Sequence, residues 1–268
     1  MSLSSLLGVL IGFGLFFTSI VLSANNWLAF VSLSSILMVL GGTIAAAYMS
    51  YQARYVLLAF KAIWWMIKKP QSTREGLNTE ILRLIQWAYL VQKNGLPSLE
   101  NEIRKVNSED PVLRFALTMV SSGYKPEEVR EILETTIHSQ FERQTVPVSV
   151  LKQMAAAAPA FGMIGTLVGL VVMLQGLDGD MAKLGHGLSL ALLTTLYGVV
   201  IARMIFIPAA LKLLQKEEIQ RFRNEMIAEG LVMLSEKKNP RYMQDRLNSY
   251  LDPDIHFSLD KQLRRGGD

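Results

Sequence analysis

No Lys, Arg, Asp or Glu occurs among the first 53 residues. Two apolar runs fill that stretch, Leu3 to Leu22 and Trp27 to Met49. Each is long enough to cross a hydrocarbon core of about 30 Å as a helix. The uncharged Ser23-Ala24-Asn25-Asn26 between them predicts a turn. A cleaved leader would have a basic start and precede a soluble segment. Here the start is uncharged and a second run follows at once, so the first run is expected to remain as a span.

A second apolar pair lies between Met154 and Pro208, and its connection is too short for anything but a hairpin of helices. At about 100° per residue, Pro159, Gly162, Thr166, Gly169 and Met173 share one narrow face. In the second run Gly187, Ala191, Thr194, Gly198 and Ala202 align, with Thr195 at the edge of that face. Small faces let two spanning helices approach closely, so Gly162, Gly165, Gly169 and Gly198 are expected to pack the contact. Two roles stay open for Thr166, Thr194 and Thr195. Each hydroxyl can bond a carbonyl one turn back in its own helix. Alternatively, the hydroxyls and the carbonyls freed by Pro159 and Pro208 can line a path for a small cation.

Between the pairs the pattern turns helical and polar. Ser72 or Thr73 can cap a helix through Glu75–Lys93, which Gly95 and Pro97 close. Short segments follow from Ser98 through Val106 and from Pro111 through Ser121. After the break at Ser122-Gly123 and Pro126 comes a helix over 127–144, and Pro147 is expected to bend the approach to the third span. Beyond the fourth span a helix of mixed charge is predicted from Leu211 to about Glu236. Its apolar contacts are Leu213, Ile219, Phe222, Met226 and Val232, and Asn239-Pro240 stops it. A short helix over 241–251 and a loosely ordered end after Pro253 complete the chain. No strand-like alternation lasts long enough to build a sheet.

These elements make an all-α integral membrane protein with four transmembrane helices. The domains read as a hairpin of spans over 1–53, a helical domain over 54–152, a second hairpin over 153–209 and a helical tail over 210–268. Half of the 268 residues are hydrophobic, which fits a membrane protein. Basic charge orients it. Of 27 Lys and Arg, only Lys183 lies in a predicted loop facing away from the large domain. The positive-inside rule then puts that domain and both termini in the cytoplasm. Trp64, Trp65, Lys68 and Lys69 suit a helix leaving the membrane through the headgroup layer.

Candidate chemistry is defined largely by what the sequence lacks. Cysteine is absent, so there is no disulfide, iron–sulfur site or thiol nucleophile. The histidines, His138, His186 and His256, lack metal-ligand spacing. No glycine loop with a lysine suggests phosphate binding, so neither an enzyme, a cofactor, a metal site nor a nucleic-acid partner is expected. None of the four predicted spans contains Asp or Glu, and Arg203 sits where it can snorkel to the interface. An ion crossing at depth ordinarily needs an ionisable carboxylate. If this chain conducts ions, another polypeptide supplies the acid.

The run PAFGMIGTLVGLVVML, followed by ALLTTLYG and FIPA, resembles the third and fourth transmembrane helices of the flagellar stator A subunit, the MotA/PomA family. That resemblance implies a subunit of the bacterial inner membrane which forms a homo-oligomeric ring, a homopentamer. It also implies a B-type partner bearing a transmembrane aspartate and a peptidoglycan-binding domain. Ion flow would drive rotation against the rotor's switch complex. The rotor contact implied is a pair of basic residues, a glycine turn and a glutamate. Here Lys93 and Glu100 match, while Gln92 stands at the first basic position and shifts the charge toward neighbours such as Arg104 or Lys105. Thr166, Thr194 and Thr195 resemble the sodium-driven branch, so inward sodium flow is favoured over protons. The alternative family is the ExbB/TolQ energiser of envelope transport, which has three spans and an outside N-terminus. The uncharged hairpin at the start favours the stator.

Overall fold

The computed structural model describes residues 3–23, 27–65, 74–104, 106, 110–177, 179–251 and 256. Every element among them is helical. The first is α1, Leu3–Ser23. A 3-10 turn, Trp27–Phe30, leads to α2, made of Leu33–Ile36, a π turn Leu37–Gly41, and Gly42–Ser50. Then come α3 (Ala53–Trp65), α4 (Arg74–Asn94), a 3-10 turn Leu96–Leu99, α5 (Glu100–Ile103) and α6 (Pro111–Ser121). The long helices are α7 (Pro126–Leu174) and α8, which joins Met181–Ile201, a π turn Ala202–Phe206 and Ile207–Ser235. Last is α9, Pro240–Asn248. The proposed turn at 24–26, the caps Ser72 and Thr73, Lys68, Lys69, Lys105 and Pro253 lie outside the described residues.

Local chemistry explains the helix starts. Asp110 accepts from the Leu113 N–H, with Pro111 in the first turn of α6. Asp180 accepts from the Lys183 N–H at the head of α8, and Asn239 accepts from the Arg241 N–H beside Pro240. Ser32 caps α2 by accepting from the Ser35 N–H.

Among the described residues, three helices are long and apolar enough to cross a membrane: Trp27–Ser50, Pro126–Leu174 and Met181–Ser235. α1 adds an apolar helix of 21 residues. α7 differs from the sequence-based expectation. The helix runs through Pro147 and Pro159 as one element of 49 residues instead of starting afresh at the third span.

The chain divides into two compact units, residues 1–70 with 145–215 and residues 71–144 with 216–268. The first, apolar unit has a core of Val39, Val56, Val150, Leu151, Met154 and Phe206, among others. Its outward positions include Leu15, Leu22, Leu33, Met163, Leu167 and Leu192, all exposed. Such a surface suits hydrocarbon or other apolar helices, not water.

The second, charged unit has an ordinary globular core around Ile81, Leu84, Leu117, Leu133, Met226 and Leu231. Gly230 admits Leu84, whose Cδ1 lies 2.6 Å from where a Cβ would stand. Arg223 ties α8 to α4 and to the start of α6, with Nη2 2.5 Å from Glu80 Oε1 and 2.7 Å from Asp110 Oδ2. Burial alone would lower its pKa, but the two carboxylates outweigh that and raise it. Glu229 joins two further cations, Arg130 at 2.8 Å and Arg246 at 3.3 Å.

Candidate functional site

In the apolar unit, α7 and α8 touch backbone to backbone along their glycines. A Cβ on Gly169 would stand 2.6 Å from both the Ala191 nitrogen and the Gly187 carbonyl oxygen. A Cβ on Gly187 would meet the Met173 nitrogen at 2.5 Å and the Gly169 oxygen at 2.6 Å. Toward the other end, Gly198 faces the Ala158 carbonyl at 2.6 Å and Pro159 Cα at 3.1 Å. Gly162 lies against the Thr194 carbonyl at 3.0 Å. These are contacts a side chain would abolish, so the two small faces form a true seam.

Thr194 and Thr195 are in that seam. Thr194 is fully buried, and its Cβ stands 2.4 Å from where a Cβ of Gly165 would be. Its hydroxyl donates to Leu190 O at 2.9 Å or Ala191 O at 3.0 Å, both in its own helix. The Thr195 hydroxyl reaches across, 3.4 Å from Gly162 O on α7 and 3.5 Å from Ala191 O. Thr166 sits beside the seam. It is half-buried and donates to Met163 O at 2.6 Å, and Gly165 occupies the place opposite Thr194. Pro159 packs on Gly198, whereas Pro208 lies half-buried past the π turn Ala202–Phe206. That turn closes with the Ile207 N–H on the Ala202 carbonyl. Widening the helix there accommodates a proline ring that cannot donate to the fourth carbonyl back.

Sequence reasoning missed two features of this unit. The Tyr197 hydroxyl accepts from the Ser32 N–H at 3.0 Å and donates to the Phe30 carbonyl, so α8 holds the entry to α2. A tyrosine among apolar residues was the available signal, because its hydroxyl seeks a partner when buried. Gly42 on α2 accepts the Phe161 ring, 2.2 Å from where a Cβ would stand. The available signal was the Gly41-Gly42 pair, where the missing side chains leave room for a neighbour.

In the charged unit Gln92 and Lys93 are exposed in the last turn of α4. Gly95, at φ 79°, reverses the chain, and Ser98 Oγ donates to its carbonyl at 2.6 Å. Glu100 opens α5, also exposed. The three predicted contact residues therefore flank one fixed turn. Lys93 also complements the helix dipole where it stands. No group of three or more His, Asp or Glu able to hold a metal occurs among the described residues.

The chain is similar to known proteins over nearly its whole length. A family model described as the MotA/TolQ/ExbB proton channel family matches residues 104–226. The chain is 30% identical over 263 residues to Motility protein A of Borreliella burgdorferi, covering 98% of this chain and 99% of that one. It is likewise 30% identical to Chemotaxis protein PomA of Vibrio alginolyticus, over 94% of this chain and 96% of that one. The solved structure of C. jejuni MotAB superposes with a TM-score of 0.86 at 25% identity, covering 97% of this chain and 100% of the other.

Proposed function

Because the chain belongs to the MotA/PomA family of flagellar stator A subunits, we propose that it couples sodium entry to rotation of a flagellar rotor. Members of this family are ion-channel subunits and not enzymes. The observation that carries the coupling is the α7–α8 seam. It buries Thr194 and brings the Thr195 hydroxyl toward Gly162 O, while no Asp or Glu occurs from Arg143 to Leu177 or from Met181 to Lys216. A B-type partner would bring the carboxylate, and the likeness to MotAB supports such a partner. The subunits would form a homopentameric ring around it. Thr194 and Thr195 would offer oxygen atoms to a cation shedding its water, a demand that sodium makes more strongly than a proton. Thr166, Pro159 and Pro208 would flank that route.

Rotation speed measured against external sodium, at fixed pH and membrane potential, tests the ion assignment. Speed should rise and saturate with sodium, and Thr195→Ala should shift the sodium dependence to higher concentration. Full speed in sodium-free medium would sink sodium and leave the stator reading in place.

The membrane arrangement follows from the same proposal. α1, α2 and the apolar stretches of α7 and α8 would be four spans of the inner membrane, with the charged unit and both termini cytoplasmic. The domain limits at 53, 152 and 209 would mark where the chain enters and leaves the lipid. Cysteines placed at Asn25 and Gly179 should react with an impermeant thiol reagent from outside, and one at Ser98 should not. Labelling of Ser98 in intact cells would reverse the orientation. On the cytoplasmic side, Lys93 and Glu100 would meet the rotor's switch complex.

A further inference from the structure

The chain interrupts its helical ladder between the 3-10 turn Trp27–Phe30 and α2. Two main-chain groups at the break, the Phe30 carbonyl and the Ser32 N–H, fall outside both helices. Within a bilayer no water can satisfy them. Tyr197 of α8 satisfies both, accepting from the Ser32 N–H at 3.0 Å and donating to the Phe30 carbonyl. Ser32 in turn caps α2, its Oγ accepting from the Ser35 N–H at 3.3 Å and from the Ser35 hydroxyl at 2.9 Å. One phenol thus holds both the path of the chain into α2 and the residue that starts the helix.

Farther along, α2 meets α7. Gly42 lies so close to the Phe161 ring that a Cβ has no room there. The π turn Leu37–Gly41 stands between the two contacts. It takes in one extra residue, which turns the later half of α2 by about 100° relative to an unbroken α-helix. The buried Thr43 hydroxyl donates to the Val39 carbonyl of that turn at 2.6 Å. α2 therefore gives its start to α8 and Gly42 to α7. Both contacts adjoin the pair that crosses the seam: Phe161 precedes Gly162, and Tyr197 follows Thr195 by two positions. At 3.4 Å from Gly162 O, the Thr195 hydroxyl is at the long end of hydrogen-bond reach. A small slide of α8 along α7 is enough to make or break that contact.

We infer that Tyr197 is a positioning residue for the cation: through α2 it holds α8 in register with α7 and keeps the Thr195 hydroxyl and the Gly162 carbonyl together as a pair of oxygen ligands. The inference rests on the reading of the seam as the sodium path. Tyr197 itself touches no ion. Without its hydroxyl, α2 loses its hold on α8 and the two oxygens drift apart. A cation that sheds water between them is then held less tightly.

The test uses the full chain with its B-type partner, expressed in cells lacking their own stator. Rotation speed is titrated against external sodium at fixed pH and membrane potential, and membrane level is followed by immunoblot. Tyr197→Phe removes one oxygen and keeps the ring. It should raise the half-saturating sodium concentration at least threefold, with saturating speed and membrane level unchanged. A tyrosine that served stability alone would lower level and saturating speed and leave the half-saturating concentration where it was. Ser32→Ala loosens the first turn of α2 without altering Tyr197, and should shift that concentration in the same direction by less. An unshifted concentration in Tyr197→Phe beside a sodium-dependent parent overturns the inference and spares the sodium reading. Where Tyr197→Phe does not reach the membrane, an unshifted concentration in Ser32→Ala overturns it instead. An unsubstituted chain that does not rotate, or rotates at full speed without sodium, fells the sodium reading and the inference with it.

Discussion

A valine at Gly169 is expected to abolish rotation, whereas a valine at Gly185 leaves it intact. At Gly169 the new Cβ would stand 2.6 Å from the Ala191 nitrogen and the Gly187 oxygen, and 2.8 Å from Ala191 Cβ. The first two are backbone atoms, so no rotamer change relieves the clash. α7 and α8 must separate, and the Thr195 hydroxyl then leaves Gly162 O, already at 3.4 Å. Overpacking of this kind costs about 1–3 kcal/mol where neighbours can yield, and more where the obstacle is main chain. Gly185 has no atom within 4 Å of its would-be Cβ and is exposed. Swimming speed, read together with membrane level, decides the matter. A Gly169→Val protein that assembles and swims at full speed would show that the seam opens in the working complex.

The largest loss of stability is expected at Arg223. Its side chain is 15% exposed and holds Glu80 and Asp110, which are 12% and 20% exposed. Arg223→Met would leave Asp110 without its cation and Glu80 with Arg83 alone, 3.3 Å away. Breaking a largely buried pair costs about 3 kcal/mol, which for a unit of this size is a fall in melting temperature of roughly 10 °C. Asp110 also caps α6 through the Leu113 N–H, so the disturbance reaches that helix start. Arg223→Lys should recover only part, since it loses the contact of Nη1 with Asn224 Oδ1. The control is Arg221→Met. Its pair with Glu225 is 43% and 42% exposed and should matter by well under about 1 kcal/mol. Thermal unfolding of the detergent-solubilised protein gives the comparison. Equal shifts for the two variants would remove Arg223 from its central place.

Helical periodicity made the seam legible. Gly162, Gly169, Gly187, Ala191 and Gly198 line one stripe on each wheel, and close approach is what small residues at that spacing permit. The same wheel grouped Thr166 with them, but it lies at the edge of the stripe, and Gly165 stands against Thr194 instead. A wheel gives the face of a single helix; the partner's curvature decides which flank of that face is covered. Pro147 is expected to bend the approach to the third span, and Pro159 to lie within that span; α7 runs through both as one helix. The π turns in α2 and α8 left no mark in local sequence beyond Gly41-Gly42 and Pro208. Long-range pairs were out of reach altogether. Nothing near Arg223 names Glu80, 143 positions away, and nothing near Tyr197 names Phe30.

The hydrogen bonding of Thr194 also bears on how the chain behaves before assembly. Among the described residues the only buried side-chain atoms without a partner are Asn78 Oδ1 and Gln140 Oε1, both in the charged unit. Among the described residues of the apolar unit, the buried hydroxyls of Ser35, Thr43 and Thr194 each donate to another hydroxyl or to a carbonyl of their own helix. A bare cation entering that dry contact would forfeit its hydration with no negative charge to receive it, at a cost of several kcal/mol. On the proposed reading, an A subunit inserted ahead of its partner would be an electrical insulator. Leakage of the gradient would then be prevented by composition, without a gate, until a carboxylate arrived from outside the chain.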